Sequence, residues 1–506
     1  MKDALKIILF LSLTFFTCSC KKDSDIIVFQ DYYFLNALIK SGIDTDDDGS
    51  ISYSEALAVK TININNNQVT DTKGLEYFVN LEKFECRGNL FTTLDLSFNP
   101  SLKSLDCGVN SLSKLNIAKN PALQILICYD NKMSGLNLFN NPDLRKVDCS
   151  NNQISELKVS SNPALTFLSI DNNPLKTLDI SKNSALDTLS CNINSISSLD
   201  LSNNTRLLYL SCSGNQLSNL DLSGNMSLQY LNCGYSPLFS LDVSGNTELK
   251  QLSCGNSLIT NIDLSNNKNL LILDLYKIPI KEFDISNNTQ LRELWCQEMG
   301  LTTLDVSKNT ELKEIYCGYN QLTMLDISNN SKLIKLFCEL NPITTLDASN
   351  SPDLNFIRLG GNKLTSLNVS KITHLETLTC GNNYLTSLDL TDNLELRNLY
   401  CNENLLTSLN VSRNSQLGLL DCSKNKLSVL DVTNNTHLLR LICGNNILAG
   451  LNLSGNTELT WFECTDMPTL HEVCVWELPF PLANSSYYHI NTTGSLNVTF
   501  TTKCSK

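Results

Sequence analysis

The sequence predicts a mainly β solenoid, and three observations support this fold class. From Leu81 to Glu458 the chain divides into eighteen units of 21 residues with no insertion or deletion. Each unit contains two short segments in which apolar and polar residues alternate, as they do in a half-buried strand. A coil of 21 residues has no room for a helix between those strands. Repeats of this length stack into one-dimensional arrays rather than separate globular domains.

The unit at residues 207–227 shows the pattern most clearly. It reads LLYLSCSGNQLSNLDLSGNMS, which fits L-x-x-L-x-C-x-x-N-x-L-x-x-L-D-L-S-x-N-x-x. Equivalent strands of successive coils are expected to stack in register about 4.8 Å apart, so that twenty coils extend over roughly 95 Å. Because strands of equal spacing lie on both sides, we expect two parallel β-ladders in a weakly curved and twisted solenoid.

This pattern resembles the leucine-rich repeat family. It is most similar to the short bacterial, internalin-like variety, in which a cysteine replaces the third leucine of L-x-x-L-x-L-x-x-N. The resemblance covers about four fifths of the chain. It implies a scaffold for binding, and it names no particular partner because such repeats carry many different ones.

The N-terminal segment resembles the signal peptide of a bacterial lipoprotein. Lysines precede an apolar run from Ile7 to Phe16, which is too short to span a membrane of about 30 Å. The following residues, Thr17 to Cys20, resemble a lipobox, which implies cleavage after residue 19 and lipidation of Cys20, with Cys18 as the competing site. The predicted boundaries are therefore a signal peptide at 1–19 and a lipidated tether at 20–28. The expected location is the outer membrane, with the protein displayed on the cell surface.

A calcium site is predicted in the N-terminal cap, residues 29–58. The stretch GIDTDDDGSISYSEA from Gly42 to Ala56 matches the loop D-x-D-x-D-G-x5-E of EF-hand and dockerin modules. The Ca²⁺ ligands expected from this resemblance are Asp44, Asp46, Asp48, Ser50, Ser52 and Glu55. Apolar spacing before the loop predicts an entering helix, and an acidic turn without an ion is the alternative. A single loop next to the first coil is more suited to stiffening the cap than to sensing calcium.

Residues 59–473 form the predicted solenoid, with cysteines facing its core. These cysteines recur every 21 residues from Cys86 to Cys464, and only Ile170, Leu275 and Leu359 replace them. Replacement by aliphatic residues alone indicates a buried apolar position, since a free cysteine behaves as a small hydrophobe. A metal array is disfavoured because the four histidines lie away from these positions. Disulfides between rungs are disfavoured because parallel Cβ vectors do not permit the required dihedral angle.

Polar residues recur at three other positions of the unit. Asparagines end the first strand, and a second asparagine series follows the second strand. Buried amides are expected to hydrogen-bond the turns of their own coil and the next one. An aspartate series from Asp179 onward is expected to accept hydrogen bonds from nearby hydroxyls such as those of LTSLD, residues 385–389. A cation-binding acidic face is the alternative for these carboxylates.

The middle coils carry a candidate interaction surface. Trp295 must face outward if Leu294 and Cys296 face the core, because side chains alternate along a strand. The same strand position holds aromatic residues in the next two coils and an arginine after them. Neighbouring outward positions add tyrosines and Phe356. The predicted ligand-binding residues are Trp295, Tyr316, Phe337, Arg358, Tyr276, Tyr319 and Tyr235.

The first asparagine series lapses in these same coils, where its positions hold Ser236, Ser257, Ile278 and Met299. Two departures from the repeat in one place favour a surface that binds a partner. A stabilising aromatic ladder on the sheet, or drift in a redundant array, is the alternative.

A C-terminal cap is predicted at residues 474–506. The repeat stops after Cys464, and the alternation in SLNVTFTT, residues 495–502, suggests a strand that covers the last coil. Cys474 and Cys504 are the only cysteines outside the core series and the N-terminal export segment that contains Cys18 and Cys20. In an exported protein they are therefore expected to form a disulfide.

Charge and motifs exclude several function classes. The formal net charge is −13 and no basic cluster exceeds Lys21-Lys22, so nucleic acid is an unsuitable partner. No nucleophile elbow, zinc-protease motif or phosphate-binding loop occurs, so an enzyme is not expected. The sequence thus predicts a monomeric, lipid-anchored surface protein that binds a protein or glycan through its middle coils. A passive spacer or envelope component without a specific ligand is the alternative.

Overall fold

The computed structural model describes residues 25–480 and 489–504, which fall into two compact units, Met1–Asp143 and Leu144–Lys506. Both units are parallel β-solenoids of 21-residue coils, so the predicted fold class is confirmed. The predicted signal peptide and the lipidation site Cys20 lie outside the described residues. Among the described helices, none is long and apolar enough to cross a membrane.

The N-terminal unit begins with a small helical cap, as predicted. Its α-helices are Tyr32–Lys40 and Tyr53–Ala58, and a 3₁₀ turn follows at Leu75–Tyr77. Asp31 caps the first helix by accepting the backbone N–H groups of Tyr33 and Phe34. The same carboxylate accepts the N–H and hydroxyl of Thr70, which ties the helix to the turn after the first strand. Hydrogen bonds from these groups lower the Asp31 pKa although burial opposes the shift.

Strands on the first side of the coil form parallel ladders in register. In each pair, residues one coil apart are partners, as for Leu294 and Ile315. In the N-terminal unit these strands are Thr61–Asn63, Lys83–Glu85, Ser104–Asp106 and Ile125–Ile127. In the C-terminal unit they are Lys146–Asp148, Phe167–Ser169, Thr188–Ser190, Tyr209–Ser211, Tyr230–Asn232, Gln251–Ser253, Ile272–Asp274, Glu293–Trp295, Glu314–Tyr316, Lys335–Phe337, Phe356–Arg358, Thr377–Thr379, Asn398–Tyr400, Leu419–Asp421, Arg440–Ile442, Trp461–Glu463 and His489–Asn491.

The second ladder is shorter than predicted. Among the described residues, strands on this side occur at Leu136–Asn137 in the N-terminal unit, and at Leu157–Lys158, Thr345–Asp347, Ser366–Asn368, Gly450–Asn452, Glu472–Cys474 and Thr499–Thr501 in the C-terminal unit. In most other coils the aspartate begins a turn by accepting the backbone N–H two residues later, as Asp242 does from Ser244 at 2.9 Å. Such local bonds compete with ladder pairing.

The donors to this aspartate series also differ from the prediction. We expected the hydroxyls that precede each aspartate, as in LTSLD, to donate. In the structure the donor is instead the residue two positions after each aspartate. Asp389, for example, accepts both the N–H and the hydroxyl of Thr391. Hydrogen bonds from these groups lower the pKa of Asp389, as equivalent bonds do for the other aspartates of the series. The carboxylates are therefore ionised and already engaged in turn formation.

The core confirms the cysteine ladder. The repeat cysteines are free thiols and fully buried. Burial raises the pKa of the Cys254 thiol to about 12. A thiol with such a pKa is protonated and acts as a small apolar group between the leucines of the two sides.

Buried asparagines hold the turns together. Asn320 donates to the carbonyls of Cys317 in its own coil and Cys296 in the preceding coil, at 2.9 and 2.8 Å. Its Oδ1 accepts the N–H groups of Met299 and Leu301. We expected bonds to the following coil; the structure shows that they run to the preceding one. In the second series, Asn309 likewise donates to Ile285 and Asn288 of the preceding coil.

The C-terminal cap adds a further coil to the solenoid. Its strands His489–Asn491 and Thr499–Thr501 pair in parallel with Trp461–Glu463 and Glu472–Cys474. A disulfide joins Cys474 to Cys504, whose Cα atoms are 5.3 Å apart.

Candidate functional site

The strand Glu293–Trp295 places its aromatic side chain outward. Leu294 and Cys296 are fully buried, whereas Trp295 is half-buried on the sheet surface. The in-register ladder repeats this arrangement, so that Tyr316 and Phe337 stand beside Trp295 in the next two coils. The alternation of side chains thus builds the predicted row of aromatic residues.

Four rings form a continuous stack on this face. Ring centroids are 3.9 Å apart for Trp295 and Tyr316 and 4.6 Å apart for Tyr316 and Phe337, with planes inclined by 15° and 13°. Phe356 then stacks on Phe337 at 4.9 Å. We call Trp295, Tyr316, Phe337 and Phe356 the aromatic ladder.

Arg358 does not continue the ladder as the sequence suggested. It pairs in register with Phe337, but its Nε lies 3.8 Å from Oε1 of Glu339. Phe356 takes its place from two residues earlier on the same strand. The sequence shows both side chains facing outward; only side-chain packing decides which one reaches the Phe337 ring.

Ion pairs surround the aromatic ladder. Glu314 accepts the Tyr316 hydroxyl at 2.6 Å and pairs with Lys335 at 3.0 Å. These two bonds lower the Glu314 pKa although burial opposes the shift. In the turn after Trp295, Glu298 pairs with Lys277 of the preceding coil at 3.0 Å and accepts the Tyr276 hydroxyl at 2.7 Å. Protein interfaces commonly have aromatic residues at their centre and polar or charged residues at their rim. The arrangement of rings and ion pairs here has the same form.

Several polar atoms beside the aromatic ladder lack partners. Trp295 is the only one of the three tryptophans whose indole N–H has no acceptor among the described residues; those of Trp461 and Trp476 donate to glutamates. Oε1 of Gln297 and Oε2 of Glu339 are buried and accept no hydrogen bond within the described part of the chain. These two acceptors could not be predicted from the sequence. Whether a side-chain oxygen finds a donor depends on which residues of the neighbouring coils lie within hydrogen-bond distance.

Tyr319 and Leu340 lie at the turn beside the aromatic ladder. Their φ angles are 57° and 53°, and their side chains are 51% and 44% exposed. Asn or Gly is preferred in this left-handed region, because other residues are disfavoured there by about 1–2 kcal/mol. Tyr235 has the same conformation, three coils before the Trp295 coil. Of the predicted tyrosines, Tyr319 therefore adjoins the ladder and Tyr235 does not.

The predicted calcium loop brings its aspartates together. Carboxylate oxygens of Asp44, Asp46 and Asp48 lie within 4.8 Å of one another. Asp44 accepts the N–H of Gly49 at 2.9 Å, and Asp47 and Gly49 have positive φ angles that fold the loop around these carboxylates. This donor set fits a hard cation that prefers oxygen ligands.

Glu55 and Ser52 are placed differently from the prediction. Glu55 Oε1 accepts the N–H and hydroxyl of Thr45, and Oε2 accepts those of Ser52. Burial opposes ionisation of Glu55, but these hydrogen bonds prevail and lower its pKa to about 2. Ser52 in turn caps the second helix. Both residues thus hold the end of the loop, and Ser50 donates its N–H to Asp48.

The loop is also braced by the chain before it. Ile27 donates its N–H to Ile51 at 2.9 Å, and Ile26 forms an antiparallel bridge with Ser52. These two contacts connect the loop to the segment that precedes the first helix.

Comparison with solved structures identifies the fold. A leucine-rich repeat protein of Leptospira interrogans is 21% identical, with a TM-score of 0.59 over 70% of this chain and 92% of that one. The plant peptide hormone receptor RGFR1 in complex with RGF2 is 17% identical, with a TM-score of 0.65 over 84% of each chain. The functional domain of InlJ from Listeria monocytogenes, which includes a cysteine ladder, is 25% identical, with a TM-score of 0.43 over 87% of this chain and 80% of that one. No family model matches the sequence, and neither does any curated protein. The fold is that of leucine-rich repeat proteins.

Proposed function

We propose that this leucine-rich repeat protein is a surface-displayed binding protein that captures a protein or glycan partner through its aromatic ladder. The observation that carries the proposal is the half-buried, outward-facing row of four stacked rings framed by ion pairs. Large aromatic residues supply most of the binding energy at interfaces. Solved structures with this fold include a plant peptide hormone receptor in complex with RGF2, which supports the same general role.

A passive spacer is the second candidate, because stacked rings also stabilise a sheet without any ligand. The two candidates differ in what the rings contribute. In a spacer their removal changes stability only, whereas in a binding protein it changes attachment far more than stability.

Replacing Trp295 and Tyr316 together with alanine tests this difference. We expect retention of any partner found in extract pull-downs or on a glycan array to fall at least about 30-fold, since hot-spot residues contribute 2 kcal/mol or more each. Stability should fall by only about 1–2 kcal/mol, because the rings are half-buried. Tyr209→Ala with Tyr230→Ala is the matched control, since those rings stack at 4.1 Å on the same face three coils away. Equal binding by both variants would favour the spacer.

We also propose that the protein is anchored to the outer membrane through a lipid on Cys20. The lipobox-like residues 17–20 and the short apolar run before them support this anchor. Metabolic labelling with a radioactive fatty acid should mark the native protein. Cys20→Ala should lose the label and release the chain from the membrane fraction, whereas Cys18→Ala should keep both. Labelling of the Cys20 variant would place the anchor elsewhere.

Calcium is the proposed cofactor of the N-terminal cap, where the carboxylates of Asp44, Asp46 and Asp48 would hold it. A bound ion would neutralise these like charges and stiffen the cap. At a free Ca²⁺ concentration about 100 times its dissociation constant, binding should add about 2.7 kcal/mol to the stability of the cap. Calorimetric titration should show one site, and Asp46→Asn should weaken it at least tenfold. Equal heat from the native and variant proteins would refute the site.

A further inference from the structure

Resting on the proposed function, we infer that the partner of the aromatic ladder is an extended polypeptide segment rather than a glycan. The inference follows from which parts of the rings are exposed and from the hydrogen-bonding groups beside them.

The rings of the aromatic ladder cover one another's faces. With interplanar angles of 13–21°, each inner ring lies between two others and presents only its edge outward. A sugar binds an aromatic side chain by lying against its face. Such a face is free only at the two ends of the ladder, beside Asp274 and Thr377, which are the register partners of Trp295 and Phe356. The row as a whole therefore offers sugars little surface.

Ring edges and the indole N–H attract oxygen atoms. Aromatic rings have a negative face and a positive edge, so a row of edges is complementary to carbonyl groups. The indole N–H of Trp295, which has no acceptor among the described residues, adds a full hydrogen-bond donor at one end of the row. Backbone carbonyls of a polypeptide supply such acceptors at regular intervals, together with aliphatic side chains that pack on the ring edges.

Two side-chain oxygen atoms beside the aromatic ladder are hydrogen-bond acceptors that a bound partner could supply with donors. Oε1 of Gln297 and Oε2 of Glu339 are buried and without a donor among the described residues. The Glu339 carboxylate lies over Gly318, where an added Cβ would come within 2.9 Å of Cδ of Glu339. These residues occupy the same place in coils two apart, so they are separated by about 10 Å, which is three residues of extended chain. Backbone N–H groups of a bound segment can serve both.

The buried polar atoms without partners in the described part of the chain form two groups, a regular series along the solenoid and a few others. Apart from the Oδ1 atoms of the second asparagine series, the buried side-chain polar atoms without partners in the described part are those of Asn256, Ser257, Gln297, Glu339 and Arg440. All but Arg440 lie between residues 256 and 339, a range that contains Trp295, Tyr316 and Phe337. Buried polar groups in proteins are usually paired, so Oε1 of Gln297 and Oε2 of Glu339, beside the rings, are the atoms whose hydrogen bonds a partner would complete.

The dimensions fit a short segment. Trp295 and Phe356 are three coils apart, about 14 Å, which four or five extended residues cover. Tyr319 and Leu340 are exposed side chains at the turns that follow the strands carrying Tyr316 and Phe337, so they would lie along one side of a segment bound to the aromatic ladder. Their positive φ angles are those of the same turn position in other coils, such as Val109 and Ile193, so the turn itself is the regular one of the repeat.

Two probes separate the possible ligands. A phage library of random 12-residue peptides and a glycan array are tested against the immobilised full-length protein, the Trp295→Ala/Tyr316→Ala variant and the Tyr209→Ala/Tyr230→Ala control. We expect enriched peptides that bind the native and control proteins and lose at least tenfold in affinity with the ladder variant. Glycans that depend on the ladder, with no such peptides, would overturn the inference while leaving the proposed function standing. Ladder-independent results with both probes would refute both.

The variant Gln297→Leu separates peptide binding from stability. If Gln297 only stabilised the fold, its replacement would not lower the affinity for peptides while leaving stability unchanged. Leucine has a similar volume and removes an unsatisfied acceptor, so stability should be unchanged or higher. Affinity for the selected peptides should nevertheless fall several-fold because one hydrogen bond is lost. Unchanged affinity would contradict the predicted backbone contact at this position.

Discussion

Asn320→Ala is expected to destabilise the middle of the C-terminal unit by about 4 kcal/mol. The side chain donates to carbonyls of Cys296 and Cys317 and accepts two backbone N–H groups, at Met299 and Leu301. Alanine leaves these buried backbone groups unpaired, at about 1–3 kcal/mol each before relaxation and entry of water. The loss matters more at this position because the preceding coil has Met299 where most coils have an asparagine. Removing Asn320 would therefore leave one more coil in a row without this side-chain amide.

Denaturant unfolding of the variant, with hydrogen exchange of residues 299–301, checks this result. Asn329→Ala is the matched control, since Asn329 is an exposed asparagine of the following turn; its change should stay within about 0.5 kcal/mol. A loss below 1 kcal/mol for Asn320→Ala would show that water replaces the amide at little cost.

Replacing Cys474 and Cys504 with serine is expected to cost about 3–4 kcal/mol of cap stability. The disulfide closes a segment with a sequence separation of 30, and loop-closure entropy for that length has this magnitude. The cap strand Thr499–Thr501 pairs with Glu472–Cys474 along one edge only, so the crosslink supplies much of what holds it. When this coil detaches, the core under Trp461–Glu463 becomes exposed to solvent.

Limited proteolysis and hydrogen exchange of residues 489–504 measure this effect. Cys422→Ala is the control for loss of a buried sulfur that forms no crosslink, and it should cost about 1 kcal/mol without mobilising the cap. Reduction of the native protein under mild conditions should reproduce the double variant. Equal protection of the cap in both proteins would mean that strand pairing alone holds it.

Several features of the site could be predicted because they depend on local sequence alone. Alternation around Trp295 determines that Leu294 and Cys296 face the core, and the exact 21-residue spacing aligns Tyr316 and Phe337 beside it. The same logic predicted the buried thiols, the asparagines at the turns and the grouping of the loop aspartates. For the thiols and the asparagines a repeating position determines burial before any side-chain conformation is known, and for the aspartates a short loop motif brings the carboxylates together.

Other features depend on side-chain packing between coils. Phe356, rather than Arg358, completes the aromatic ladder because Arg358 turns toward Glu339. Glu55 accepts the N–H groups of Thr45 and Ser52, contacts that the motif alone does not specify. The acceptors of Gln297 and Glu339 that lack donors among the described residues have no sequence signature, since pairing depends on which donors neighbouring coils bring near.

The sequence by itself therefore determined the solenoid, its coil length and which face of each first-side strand meets the core. The tertiary structure alone decided how far the second ladder extends, which rings touch and which polar groups remain unpaired. The physical reason is that burial follows from the period of the chain, whereas hydrogen bonds and ring contacts depend on distances of a few ångströms between residues 21 positions apart.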